Sequence, residues 1–209
     1  MSECSNLVAI TCEENHITGI DISNNQKMER LYASYNDITE IDVSKNTSLR
    51  TLGLSENKLT EIDVSNNINL DALGVSSNNI TELNISNNPS LTGIYCENNQ
   101  LTELDISNNI NLEEIICNDN EISVLNVENC KGLVRLECAN NNLSGVLNLN
   151  GCNNLESFEC QGNNYTDIYL EGCYKLYWFN CSDNDLTEID ISDSEEEIEY
   201  ECDDIDVIY

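Results

Sequence analysis

A chain of 209 residues with 39 acidic against eight basic side chains carries a formal charge of −31, which excludes the basic stripe that neutralising nucleic-acid phosphates requires and disfavours docking on an anionic membrane surface. A basic partner is its natural electrostatic complement. No stretch approaches eighteen consecutive apolar residues, so no membrane-spanning helix is expected, and the opening MSECSNLVAITCEEN lacks the basic-then-apolar order of a signal peptide, which leaves a cytoplasmic protein or a piece whose export signal lies elsewhere.

Such charge with few aromatics suits a disordered chain, but the apolar residues recur too regularly for that. Taken in chain order they define a unit of 21 residues, L-x-x-L-x-C/L-x-x-N-x-L-T-x-L-D-I-S-x-N-x-x, counted from position 0. Units 1 to 9 begin at Leu7, Met28, Leu49, Leu70, Leu91, Leu112, Leu133, Leu155 and Leu176, and a degenerate tenth begins near Glu197. The seventh is longer by one residue, near Gly145-Val146-Leu147. Self-similarity at this period is the signature of a stacked solenoid, in which no unit can bury its apolar face alone. The expected layout is a single domain over residues 1–209, of nine full repeats with partial repeats at 4–6 and 197–209.

The repeat accounts for all eleven cysteines. Position 5 holds Cys12, Ala33, Leu54, Val75, Cys96, Cys117, Cys138, Cys160, Cys181 and Cys202; position 18 holds Cys4, Asn25, Asn46, Asn67, Asn88, Asn109, Cys130, Cys152, Cys173 and Ser194. Equivalent side chains of neighbouring coils run in parallel, about 4.8 Å apart, whereas a disulfide needs Cβ atoms about 3.8 Å apart and leaning together. Reduced, buried thiols acting as small hydrophobes are therefore expected. Zinc is disfavoured because there is no C-x-x-C and a single histidine, His16. Position 8 is Asn in every full unit: Asn15, Asn36, Asn57, Asn78, Asn99, Asn120, Asn141, Asn163 and Asn184. A polar residue repeated in every coil serves the backbone of a bend rather than a ligand.

Units such as LTGIYCENNQLTELDISNN and LEEIICNDNEISVLNVENC resemble bacterial leucine-rich repeats of the 21-residue type, and in particular the cysteine-ladder repeats of the internalin family. The resemblance covers residues 4 to 195. It implies a β-rich leucine-rich-repeat solenoid, a curved right-handed coil with a parallel sheet on its concave face. It also implies binding of a protein or a glycan at a bacterial surface, and hence a surface or secreted location in preference to the cytoplasm. The family's helical N-terminal cap, immunoglobulin-like follow-on domain and sorting signal are not recognised, and units 2 to 4 lack the ladder cysteine. Both termini fall in mid-coil, which reads as a segment of a longer polypeptide.

In this fold positions 2 to 6 form the strand, with 3 and 5 inward and 2, 4 and 6 toward solvent. The second half of the unit supplies more core and an outer wall, where Glu40, Glu61, Glu82, Glu103 and Glu188 recur at position 12. Outward positions on the sheet are not dictated by the repeat, so departures there are the candidate binding residues: Tyr32, Tyr35, Tyr95, Ile116 (read as exposed), Arg135, Tyr177 and Trp178. Aromatics dominate protein interfaces and stack on sugars. Arg30 and Arg50 lie near Tyr32, Arg135 beside Glu137, and further acids at Glu13, Glu114, Glu137, Glu159, Glu199 and Glu201 are expected to face solvent. Phe158, Tyr165, Phe179 and Tyr200 are assigned to the core. With one histidine and no glycine-rich phosphate loop, catalysis is not expected. No cofactor or metal is called for, and the acidic tail DISDSEEEIEYECDDIDVIY lacks a calcium loop. The reading is a monomeric binding module for a protein, a basic one or not, with a glycan-binding segment or a structural spacer as alternatives.

Overall fold

The computed structural model describes residues 4–127, 129–194 and 197–209; Glu195 and Glu196 of the acidic tail lie outside the described residues. Ten three-residue strands form one sheet: β1 (Ala9–Thr11), β2 (Arg30–Tyr32), β3 (Thr51–Gly53), β4 (Ala72–Gly74), β5 (Gly93–Tyr95), β6 (Glu114–Ile116), β7 (Arg135–Glu137), β9 (Ser157–Glu159), β11 (Trp178–Asn180) and β13 (Glu199–Glu201). Each pairs with the strand of the next coil, parallel and in the register of the repeat, as in Leu31↔Leu52↔Leu73↔Ile94. A three-residue strand has too few hydrogen bonds to persist alone; pairing between coils satisfies its backbone on both sides. The ladder runs past the strands, with Cys12 N donating to Tyr32 O and Cys117 N to Glu137 O, both at 2.8 Å.

Positions 3 and 5 point inward into one continuous apolar core. Leu31, Leu52, Leu73, Ile94, Ile115 and Leu136, with Phe158 and Phe179, are fully buried, each removal from water contributing about 1.5–3 kcal/mol. Tyr165 joins them at 3% exposure, but Tyr200 does not: it is 37% exposed. It points inward and stacks on Phe179 with ring centroids 5.4 Å apart. Its strand, β13, is the last of the sheet, and its other ring contact is the exposed, tilted ring of Tyr209, with centroids 6.4 Å apart.

The asparagine row works as expected. Asn78 Nδ2 donates to Val75 O at 2.9 Å and Ser76 O at 3.1 Å in its own coil and to Leu54 O at 3.0 Å in the coil before. Its Oδ1 accepts from Leu59 N at 2.9 Å. These bonds anchor a corner whose preceding residue, position 7, is left-handed in every full coil: Glu14, Tyr35, Glu56, Ser77, Asn98, Asp119, Asn140 and Asp183 have φ of 52–56°, and Gly162 has φ of 68°.

The outer wall differs between the two halves of the solenoid. Coils 2 to 5 have no strand there. In the later coils β8 (Ser144–Asn148) pairs with β10 (Asn164–Tyr169), and β12 (Glu188–Asp190) with β14 (Asp206–Ile208), all parallel. The extra residue of the seventh unit lies in β8, where Gly145 has φ of 78°. Its pairing with β10 slips in register between Tyr165 and Asp167. An insertion absorbed as strand extends the backbone ladder of the wall instead of forming a loop.

Candidate binding face

The register aligns position 4 into one row across the sheet, Tyr32, Gly53, Gly74, Tyr95, Ile116, Glu137, Glu159, Asn180 and Glu201. The parallel row at position 2 runs Arg30, Thr51, Ala72, Gly93, Glu114, Arg135, Ser157, Trp178 and Glu199. In these two rows coils 3 and 4 present only Thr51, Gly53, Ala72 and Gly74, a low strip between Tyr32 and Tyr95 bordered by Ser55 and the Arg50–Asp71 ion pair. At about 4.8 Å per strand, those tyrosines stand roughly 14 Å apart. The glycines on this face have different internal duties. A Cβ at Gly93 would lie 3.1 Å from the Tyr95 ring, so Gly93 makes room for that ring. A Cβ at Gly53 or Gly74 would meet its neighbours at ordinary contact, 3.5 Å from Tyr32 Cδ1 and 3.4 Å from Ser55 Oγ respectively. Nothing inside the molecule forbids a side chain at either position.

The candidate residues fall into groups. Tyr32 and Tyr95 are half-buried walls of the strip. Tyr95 Oη donates to Glu114 Oε2 at 2.6 Å, and burial followed by that carboxylate pushes its phenol up to about 12. Tyr35, 58% exposed, stands at the adjacent left-handed corner. Ile116, expected to be exposed, is half-buried because it lies in register between Tyr95 and Glu137. Arg135 remains exposed but is ion-paired with Glu137.

Glu137, expected to face solvent, is only 7% exposed: it lies under Arg135 and accepts from Asn118 Nδ2 at 2.9 Å. A buried carboxylate persists only when paired and hydrogen-bonded in this way. Tyr177, 51% exposed, and half-buried Trp178, whose Nε1 donates to Glu159 Oε1 at 3.2 Å, lie two coils beyond Arg135 and do not join the tyrosine strip. The bare floor of Gly53 and Gly74 carries no large side chain to mark it; its signal in the sequence is Gly at one position of two consecutive units.

All eleven cysteines have free thiols in the structure, but not all are buried. Cys4 is exposed and Cys12 and Cys202 are half-buried, because each belongs to an end coil. In the interior, burial raises the thiols: Cys96, Cys138 and Cys160 well above their ordinary value, and Cys117 to about 12. Such groups are poor nucleophiles. Among the described residues no group of three or more metal-ligating side chains converges, and no helix is long and apolar enough to cross a membrane.

No protein-family profile and no curated protein matches the chain. Among solved structures, the functional domain of InlJ from Listeria monocytogenes, described as including a cysteine ladder, is similar with a TM-score of 0.92 at 32% identity, over 97% of this chain and 45% of that one. An internalin (inlF) from Listeria monocytogenes is similar with a TM-score of 0.81 at 22% identity, over 97% of this chain and 62% of that one. The ectodomain of the plant receptor kinase GASSHO1/SCHENGEN3 from Arabidopsis thaliana has a TM-score of 0.86 at 21% identity, over 98% of this chain and 28% of that one. The last two likenesses speak to fold alone, and this chain spans less than half the length of the InlJ chain. The chain folds as a leucine-rich-repeat solenoid whose repeats and cysteine ladder are similar to those of the bacterial InlJ domain.

Proposed function

We propose that the protein is a non-catalytic binding module that engages a protein partner through its sheet face, as part of a bacterial surface or secreted protein. Leucine-rich-repeat neighbours support a protein-interaction module in general. The observation that carries the finer reading is the strip floored by Gly53 and Gly74 and bracketed by Tyr32 and Tyr95. Glycine in a strand interior costs about 0.5–1 kcal/mol relative to Ala, and at these two positions no internal contact requires it. A glycine without an internal duty marks close approach of another backbone. Tyr32, Tyr95 and exposed Tyr35 then supply aromatic anchors beside a half-exposed floor that a partner would desolvate, the arrangement that concentrates binding energy.

The test is selection of binders from a displayed polypeptide library, followed by affinity measurement against a Gly53→Val/Gly74→Val variant whose native spectrum and melting are retained. Selected binders are expected to weaken by about 30-fold or more on the filled floor, and comparably on Tyr95→Ala. Binders that map to the Glu40–Glu61 wall and ignore both changes overturn the reading. So does an oligosaccharide panel that alone yields floor-sensitive binding.

A further inference from the structure

The last two sulfurs of the position-5 ladder are arranged unlike those before them. Cys181 and Cys202 follow β11 and β13, and Cys181 N donates to Glu201 O at 2.9 Å, so the two residues are register neighbours. Their Sγ atoms are 2.7 Å apart, far inside the strand spacing of about 4.8 Å. Among the described residues no other pair of ladder sulfurs makes such a contact. Cys202 follows β13, which pairs with β11 at the end of the described sheet. It is half-buried, whereas Cys181 behind it is 2% exposed. All three residues of β13 are exposed, so a small reagent can reach Cys202 from outside.

We infer that Cys181 and Cys202 form a modification site that reacts with a low-molecular-weight disulfide, of the glutathione disulfide class, and closes into an intramolecular disulfide stapling β13 to β11. The Cys202 thiol loses its proton and the thiolate attacks one sulfur of the oxidant. A bond forms to Cys202, the oxidant's S–S bond breaks, and the departing thiolate takes up a proton. Cys181 then loses its proton and attacks the Cys202 sulfur, expelling the second small thiolate, which is protonated in turn. Two protein thiols are oxidised and one disulfide is reduced to two thiols. The order of attack follows from access and from electrostatics. The contact with Cys181, in which either sulfur can donate, holds the Cys202 thiol below its ordinary value, against its burial and the nearby Asp203, while the same contact and burial raise Cys181. The product closes a loop of one coil around a half-buried part of the described core, where Ile198 and Cys202 pack on it and Tyr200 lies between the rings of Phe179 and Tyr209.

Reduced protein equilibrated in its native state with oxidised glutathione, then alkylated and mapped by peptide mass spectrometry, tests this. Two of the eleven thiols should be lost, in a single cross-linked peptide pair containing Cys181 and Cys202. Proteolytic trimming of residues 199–209 should slow by about tenfold or more on oxidation. Cys181→Ser should arrest the reaction as glutathione retained on Cys202; should that variant fail to fold, the wild-type map decides. Recovery of all eleven thiols overturns the inference. So does oxidation confined to exposed Cys4, or a link between interior neighbours such as Cys117 and Cys138.

Discussion

Coils 2 to 5 and coils 6 to 9 bury the same kind of core with different chemistry at the same positions. At position 18 the early coils stack amides: Asn67 Nδ2 donates to Val43 O at 3.1 Å and Asn46 O at 2.9 Å, and Asn88 repeats the pattern one coil on. These donors satisfy buried turn carbonyls, but the Oδ1 atoms of Asn46, Asn67, Asn88 and Asn109 are buried without a partner. The later coils place thiols there: Cys173 Sγ lies 3.4 Å from Leu149 O and Cys152 Sγ 3.9 Å from Cys130 O. A thiol donates weakly but leaves no strong acceptor stranded. The early coils thus hold their turns by hydrogen bonds at the cost of an orphaned oxygen in each. The later ones rely on packing and gain backbone pairing in the outer wall through β8 and β10.

The largest expected difference lies in that row. Asn67→Ala removes two side-chain bonds from turn carbonyls that each keep one backbone donor, Asn46 N on Val43 O and Leu49 N on Asn46 O, and is expected to cost about 1–3 kcal/mol. Cys152→Ala removes one small apolar group, at about 1 kcal/mol. Denaturant unfolding of the two variants checks this; equal costs would break the contrast. Next come the glycines of the sheet face. Gly74→Ala should stabilise by about 0.5–1 kcal/mol. Gly93→Ala, whose Cβ would press on the Tyr95 ring at 3.1 Å, should destabilise by about 1 kcal/mol. Melting of both variants, with tyrosine absorbance reporting release of the Tyr95–Glu114 bond, separates an idle glycine from a required one.

The left-handed corner sharpens the comparison further. Late coils fill it with Asp119, Asn140, Gly162 and Asp183, residues that tolerate positive φ, whereas coil 2 uses Tyr35. Tyr35→Asn is expected to stabilise by about 0.5–1 kcal/mol in unfolding measurements while weakening any partner anchored on that ring.

The smallest effect is acid lability. The hydroxyls and backbone N–H groups of Ser23, Ser44 and Ser65 hold Asp21, Asp42 and Asp63 below the usual carboxylate range, and Lys58, then His16, does the same for Asp37. A carboxyl depressed by folding contributes stability that is present above its unfolded value and lost as pH falls through its folded one. The β8 turn instead uses neutral Asn148, accepting from Asn150 N at 3.0 Å. Ser107 and Ser192 hold Asp105 and Asp190 down as the earlier serines do, so between about pH 4 and pH 2 amide exchange should rise at these aspartate turns, in coils 1 to 3, 5 and 9, before it rises at the β8 turn. Exchange rising first around β8 would contradict that assignment.

Much of this was legible before any coordinates. The period, the inward rows at positions 3 and 5, and the asparagine corner are each written many times over, so that local irregularity cannot hide them. The residues misjudged were those whose environment depends on what lies beside them. Tyr200, Cys4, Cys12 and Cys202 obey the repeat, but each belongs to an end coil with a neighbour on one side. Ile116 and Glu137 occupy outward positions, yet adjacent coils cover them. The candidate site was readable as a set of aromatic exceptions, but not as a place: Tyr32 and Tyr95 are three units apart in sequence and become two sides of one strip only through the glycines between them.

By itself the sequence determined the coil, because a 21-residue spacing of apolar and asparagine positions has one economical way to bury its side chains and pair its short strands. Tertiary structure decided what each coil meets: which carboxylates are covered, which glycines lie idle on the sheet, and that the last two sulfurs touch. Those outcomes depend on distances across coils and on where the stack ends. No pattern within a single repeat encodes them.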